Sequence, residues 1–219
     1  MYATAAQLLT RRPAKPVPAW PVLPGADRLL LARGRVHEVC GAARQLLAIW
    51  LAAQTDGPIL WITPEWSRDQ LNPCGLTPMI DPARFLFVSP KRPEDVLWCM
   101  EEVLRAGAVR LAVADLPGLP SLTAVRRMHL AAETGGKEGD HLPLGLLLTP
   151  GMGGAPGVET RWHLAPDHQG TPGQWQLSRM RARTAPEQSW LVQRQTGQAL
   201  PKLGAPVNGA TDQPPQTGE

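Results

Sequence analysis

Tyrosine occurs once and phenylalanine twice in this 219-residue chain, lysine only at Lys15, Lys91, Lys137 and Lys202, and cysteine three times. The cysteines, Cys40, Cys74 and Cys99, are odd in number, widely spaced and form no CxxC. That pattern argues against a disulfide framework or a zinc site and fits a reducing compartment. No apolar run reaches the roughly 18 residues that a membrane-spanning helix needs. Pro13, Pro16, Pro18, Pro21 and Pro24 interrupt the N-terminal stretch, which therefore does not read as a signal peptide. No membrane partner and a cytoplasmic location are the expectations. His37, His129, His141, His163 and His168 lack the spacing and the cysteine or acid support of metal ligands, so neither a metal nor a cofactor is expected. Ser121 and Ser178 sit in no GxSxG context and Cys99 falls mid-helix, which leaves nucleophilic catalysis without support.

What is present suits one globular domain with ragged ends: 43% hydrophobic residues, 19% charged residues and a net charge of +3. The charge is only mildly basic, compatible with nucleic acid nearby but no signature of it. Residues 1–24 form a proline-rich N-terminal arm, expected to be extended and polyproline-like. Residues 197–219 are rich in Gly, Pro, Gln and Thr and are expected to be disordered. Between them, residues 25–196 alternate strand and helix patterns, which predicts an α/β domain with a mainly parallel sheet.

Strands are expected at 35–40, 59–62, 85–89, 109–114 and 144–149, with a late antiparallel pair at roughly 174–183 and 189–194 around the turn TAPEQ. Helices are expected over 43–54, from Pro93 to a stop at Gly107, and over 122–133 behind a Ser121 cap. Residues 64–84 and the run GGKEGDH read as loops. Trp50, Trp61 and Trp98 fall in elements expected to be buried, whereas Trp20 and Trp66 fall in loops and are candidate interface anchors.

The run GRVHEVCG at 34–41, a helix, and then GPILWITPEW at 57–66 resemble the opening of the RecA recombinase core, in which a strand leads into a phosphate loop and the next strand carries a catalytic glutamate. LRAGAVRLAVADL at 104–116 resembles the segment that holds the magnesium-linked aspartate. VLWCMEEVLRAG at 96–107, SLTAVRRMHLAAE at 121–133, ETRWHLAPD at 159–167 and WQLSRMRAR at 175–183 are similar to the ImuA family of RecA-like, damage-inducible proteins, some of which are labelled SulA-like. The resemblance implies a RecA-like P-loop core and a role in an SOS-induced, error-prone translesion assembly. The implied partners are a Y-family-like polymerase homologue and an error-prone replicative-type polymerase, with RecA as a further candidate.

A phosphate loop reads G-x-x-x-x-G-K-[ST], because glycines let backbone amides converge on phosphates, lysine neutralises charge and the hydroxyl holds magnesium. At the corresponding place this chain has Gly41-Ala42-Ala43-Arg44-Gln45-Leu46-Leu47. The second glycine, the lysine and the hydroxyl are missing. Arg44 offers a charge without the surrounding cradle, and nucleotide binding is not expected. Glu65 and Asp115 stand where the resemblance puts the water-activating glutamate and the magnesium-linked aspartate. They read as relics, since a base and a metal ligand have no use without held phosphates. Gly151-Met152-Gly153-Gly154 is flanked by Pro150 and Pro156 and reads as a flexible loop.

Candidate DNA or partner contacts remain. Arg179, Arg181 and Arg183 alternate on a strand and so share one face, which Trp175 extends. The alternatives are a solvated strand face for the arginines and core packing for Trp175. Arg126 and Arg127 lie on the 122–133 helix, either as a contact or as a plain exposed face. Trp20, with Arg11, Arg12 and Lys15, marks the arm as a docking element or as a loose segment. The expected function is that of a non-catalytic adaptor with at most weak DNA contact. The competing expectations are a DNA-stimulated ATPase and a SulA-like inhibitor acting on the division protein FtsZ.

Overall fold

The computed structural model describes residues 18–67, 69–167, 172–183 and 185–207. Its centre is a nine-stranded sheet. In chain order the elements are β1 (Ala19–Pro21), β2 (Leu30–Ala32), β3 (Val36–Cys40), α1 (Arg44–Ala53), β4 (Ile59–Ile62), α2 (Pro73–Leu76), a 3-10 turn (Pro82–Arg84), β5 (Phe85–Val88), α3 (Pro93–Ala106), β6 (Leu111–Asp115), α4 (Leu122–Glu138), β7 (Leu144–Leu148), β8 (Arg161–Pro166), β9 (Gln174–Arg181), β10 (Gln188–Gln193) and β11 (Lys202–Pro206). The strand order is β11-β10-β9-β8-β3-β7-β6-β4-β5. Every pairing from β8 to β5 is parallel, and β8 to β11 pair antiparallel. The fold is therefore mixed α/β, with a large, mostly parallel sheet and an antiparallel region at its C-terminal end.

Alternation along the strands sorts side chains onto two faces. Trp61, Val113, Leu146 and Leu148 pack on one side beneath α1 and the β1–β2 hairpin. Ala112, Ala114, Leu147 and Val36 pack on the other beneath α3 and α4. Small residues on this second face let two helices settle side by side. Gly145 has Met100, Leu104 and Val36 already within about 3.2 Å of where a Cβ would stand.

The helices begin and end where local chemistry says they should. Pro93 opens α3, Glu94 and Asp95 occupy its first turn, and Gly107 closes it in the left-handed region at φ 58°. The Ser121 hydroxyl accepts the Ala124 N–H at the start of α4. α4 then runs through Gly135 and Gly136 to Glu138, longer than the expected 122–133. A Cβ on Gly135 would lie 2.1 Å from the Leu104 carbonyl oxygen, so the first half of GGKEGDH is the part of α4 that packs against α3, and only residues 139–141 form the expected loop.

Other expectations need correcting. Trp98 is 58% exposed. It stands two residues from both Val96 and Met100, about 200° round the helix from each, and so points away from the sheet. The described part of the expected proline-rich arm, residues 18–24, belongs to the folded unit. Residues 1–17 lie outside the described residues, but Val22 and Leu23 are buried, Trp20 pairs with Leu31, and Gly25 turns the chain at φ 73°. The expected C-terminal tail likewise contains β11, which pairs with β10; residues 208–219 lie outside the described residues. Strand β8 and the short turns within 64–84 carried no pattern that marked them.

His37 ties the hairpin to the sheet. One ring nitrogen lies 2.9 Å from the Ala32 carbonyl oxygen and the other 2.8 Å from the Thr160 hydroxyl. Complete burial pushes its pKa down from 6.5 to about 4. Below pH 6.5 the unfolded chain takes up a proton that the folded chain refuses, so this group withdraws stability as pH falls towards 4. At about 1.4 kcal/mol per pH unit the loss approaches ~3 kcal/mol. Urea midpoints measured from pH 7 to pH 4 should fall in the native protein and fall clearly less in His37→Gln. In the same assay at neutral pH, Gly135→Ala should cost about 1–3 kcal/mol, the usual scale of overpacking.

Candidate functional site

In open α/β sheets the ligand crevice lies outside the carboxyl ends of parallel strands, where the connections diverge. Here β3 passes the chain towards β4 on one side, and β7 passes it across β3 to β8 on the other. The segments that meet at that end are Gly41–Ala43 after β3, Thr63–Glu65 after β4, Asp115 closing β6, and Thr149–Ala155 after β7.

The loop after β3 uses its amides internally. Gly41 N–H donates to the Gly151 carbonyl at 3.0 Å, Ala43 N–H to the Leu164 carbonyl at 3.1 Å, and Arg44 N–H to the Gly41 carbonyl at 3.2 Å. Gly41 stands at φ 94°, and a Cβ there would come within 2.4 Å of the Leu164 carbonyl oxygen. The close approach of β8 therefore demands glycine at this position for packing reasons alone.

Asp115 is nearly buried, at 5% exposure. Arg44 meets its Oδ1 through Nε and Nη2, both at 3.3 Å. Gln45 donates through Nε2 to Oδ2 at 2.8 Å and to the Asp69 carbonyl at 3.3 Å. Arg44 and Gln45, the first two residues of α1, thus both turn onto the carboxylate. Glu65 is exposed, with its backbone N–H on the Pro90 carbonyl.

The glycine-rich loop after β7 is pinned. Glu38, fully buried in the middle of β3, accepts from the Thr149 hydroxyl at 2.7 Å, from Gly154 N–H at 2.8 Å and from Ala155 N–H at 3.0 Å. It also ion-pairs with Arg161, whose Nη2 donates to the Ala155 carbonyl. The paired amides of this loop hold an anion, and the anion is the protein's own side chain. Next to it, burial, followed by the charge of Glu38, pushes the Cys40 thiol up to about 11, so it stays protonated and donates to the Trp162 carbonyl. Among the described residues no group of three His, Cys, Asp or Glu side chains could hold a metal ion.

The candidate contact residues divide. Trp175 is buried and packs edge-on against Trp50 at 5.1 Å, a core role. Arg179 is buried too: its Nε donates to the Pro186 carbonyl, and its guanidinium lies 5.2 Å over the Trp190 ring. The alignment read from the sequence is therefore broken at its first arginine. Trp20 is half-buried in β1 beneath the Arg33 guanidinium, 4.9 Å away. Arg127 binds Glu101 across the α3–α4 contact at 2.7 Å, where Arg105 binds the same carboxylate. Only Arg126, Arg181 and Arg183 come together, in a groove with Arg35 and His129 that sequence spacing gave no reason to join. No protein-family model and no curated protein matches this chain. No helix among the described residues is long and apolar enough to cross a membrane.

Removing Arg44 strands a nearly buried carboxylate. Arg44→Ala should destabilise the fold by about 1–3 kcal/mol. The cycle with Asp115→Asn should show a coupling of roughly 0.5–3 kcal/mol in urea unfolding. Additive effects would mean that the pair contributes nothing to the fold.

Proposed function

We propose that this chain is a RecA-like protein of the ImuA type that acts without nucleotide, as a non-catalytic adaptor in an error-prone translesion complex. One observation carries the non-catalytic half of the reading: Arg44 and Gln45 occupy Asp115 while the amides of Gly41, Ala43 and Arg44 are spent on carbonyls of the same chain. A triphosphate would need those amides, a free cation and an accessible carboxylate to hold magnesium. Support for a RecA-like core comes from the order of elements. The first strand of the parallel set sits inside the sheet and leads through the short loop into α1, Glu65 follows β4, and Asp115 closes β6. The four sequence blocks supply the translesion context and the polymerase partners. An adaptor of this kind would work by surface contact, holding a polymerase at a blocked fork.

Purified protein should neither bind nor hydrolyse ATP, with or without single-stranded DNA, and should be retained by the polymerase subunits. Hydrolysis that disappears in Glu65→Gln and Asp115→Asn would overturn the non-catalytic reading. Failure to contact either polymerase subunit would overturn the adaptor role.

A further inference from the structure

A basic groove lies away from the strand-end crevice, between α4, the start of β3 and the end of β9. Leu122, Arg126 and Leu130 follow at steps of four along α4 and so form one row. All three are exposed, Leu130 at 63%. Arg181 and Arg183 face that row from the end of β9, and Arg35 lies between.

The charges in the groove do not balance. Arg35 is taken up by Glu133 and Glu159, and Arg183 shares Glu159 at 3.4 Å. Arg126 and Arg181 form no ion pair among the described residues. Four arginines against two glutamates leave an excess of two positive charges on a surface that also presents two leucines. His129 does not add to the excess. Its Nδ1 accepts the Val36 N–H and its Nε2 lies 3.1 Å from the Gly157 carbonyl, while burial, ahead of the Arg35 and Arg183 charges, lowers its pKa.

Among the described residues no Trp, Tyr or Phe lines the groove, and its one ring, that of His129, is held by hydrogen bonds at both nitrogens. Single-stranded nucleic acid is held by cations together with rings on which bases stack. Here the cations alternate with aliphatic side chains instead.

We propose that this groove binds a short acidic amphipathic segment of a partner protein, with apolar side chains on Leu122 and Leu130 and carboxylates on Arg126 and Arg181. The two leucines are about 12 Å apart along the helix. That matches two anchors seven or eight residues apart on a partner helix, with acids on the turns between them. The bidentate geometry of arginine suits those carboxylates. The inference goes beyond the adaptor reading, because it concerns the chemistry of one face and holds whichever assembly the chain joins.

The test is fluorescence anisotropy with the full chain and a labelled peptide of about 16 residues, glutamate-rich, with leucines seven positions apart. Saturable binding is expected at about 0.15 M salt. It should weaken about fivefold or more in Arg126→Glu/Arg181→Glu and about threefold or more in Leu130→Ser, since each factor of ten is about 1.4 kcal/mol. A peptide with glutamine for glutamate should not bind. All three positions are exposed, and circular dichroism on each variant verifies that the fold is kept. Absence of saturable peptide binding overturns the proposal. So does oligothymidine binding more tightly than the peptide and indifferent to Leu130→Ser, which would assign the groove to phosphodiester.

Discussion

Glu38 is the constraint on which the strand ends depend. A carboxylate with no exposure in the central strand would be untenable alone, because removing an ion from water costs several kcal/mol. It survives because Arg161, Thr149 and two backbone amides surround it. Those partners come from β8, from the end of β7 and from the loop that follows, so one side chain fixes the position of three segments. With β8 and that loop held in place, Gly151 and Leu164 present the carbonyls that receive the amides of Gly41 and Ala43.

The site is consequently closed by the chain's own groups at two points. One carboxylate fills the amides after β7, and one guanidinium, helped by Gln45, fills the acid after β6. Charge that such a crevice would spend on a ligand is spent on the fold. The arginines of the proposed docking groove lie elsewhere, on α4, before β3 and at the end of β9.

Elements with strong periodicity were legible in the sequence. Strands β4 to β7 stood out as short apolar runs, and α3 was bounded by proline, acids and glycine. The mismatch of the run after Gly41 to G-x-x-x-x-G-K-[ST] is a statement about residue types at fixed spacing and needs no structure. Elements whose reason lies elsewhere in the chain were not. β8 alternates half-buried and buried residues as an edge of the parallel set, and β1, β2 and β11 are three to five residues long and gain their order from packing. Arg179 was grouped with the surface arginines, and Trp175 stayed open between surface and core, because alternation gives a common face without saying which face is covered. The groove joins residues more than ninety positions apart, Arg35 with Arg126 and Glu133, and no local spacing records such a meeting.

The Arg44–Asp115 closure also has a thermodynamic meaning. A protein that binds a ligand gains stability by RT ln(1 + [L]/Kd), so its folded population follows the supply of that ligand. A chain whose crevice is filled by its own covalently attached side chain meets a concentration that never changes. Under the nucleotide-free role proposed above, the stability of such a chain does not follow the energy state of the cell.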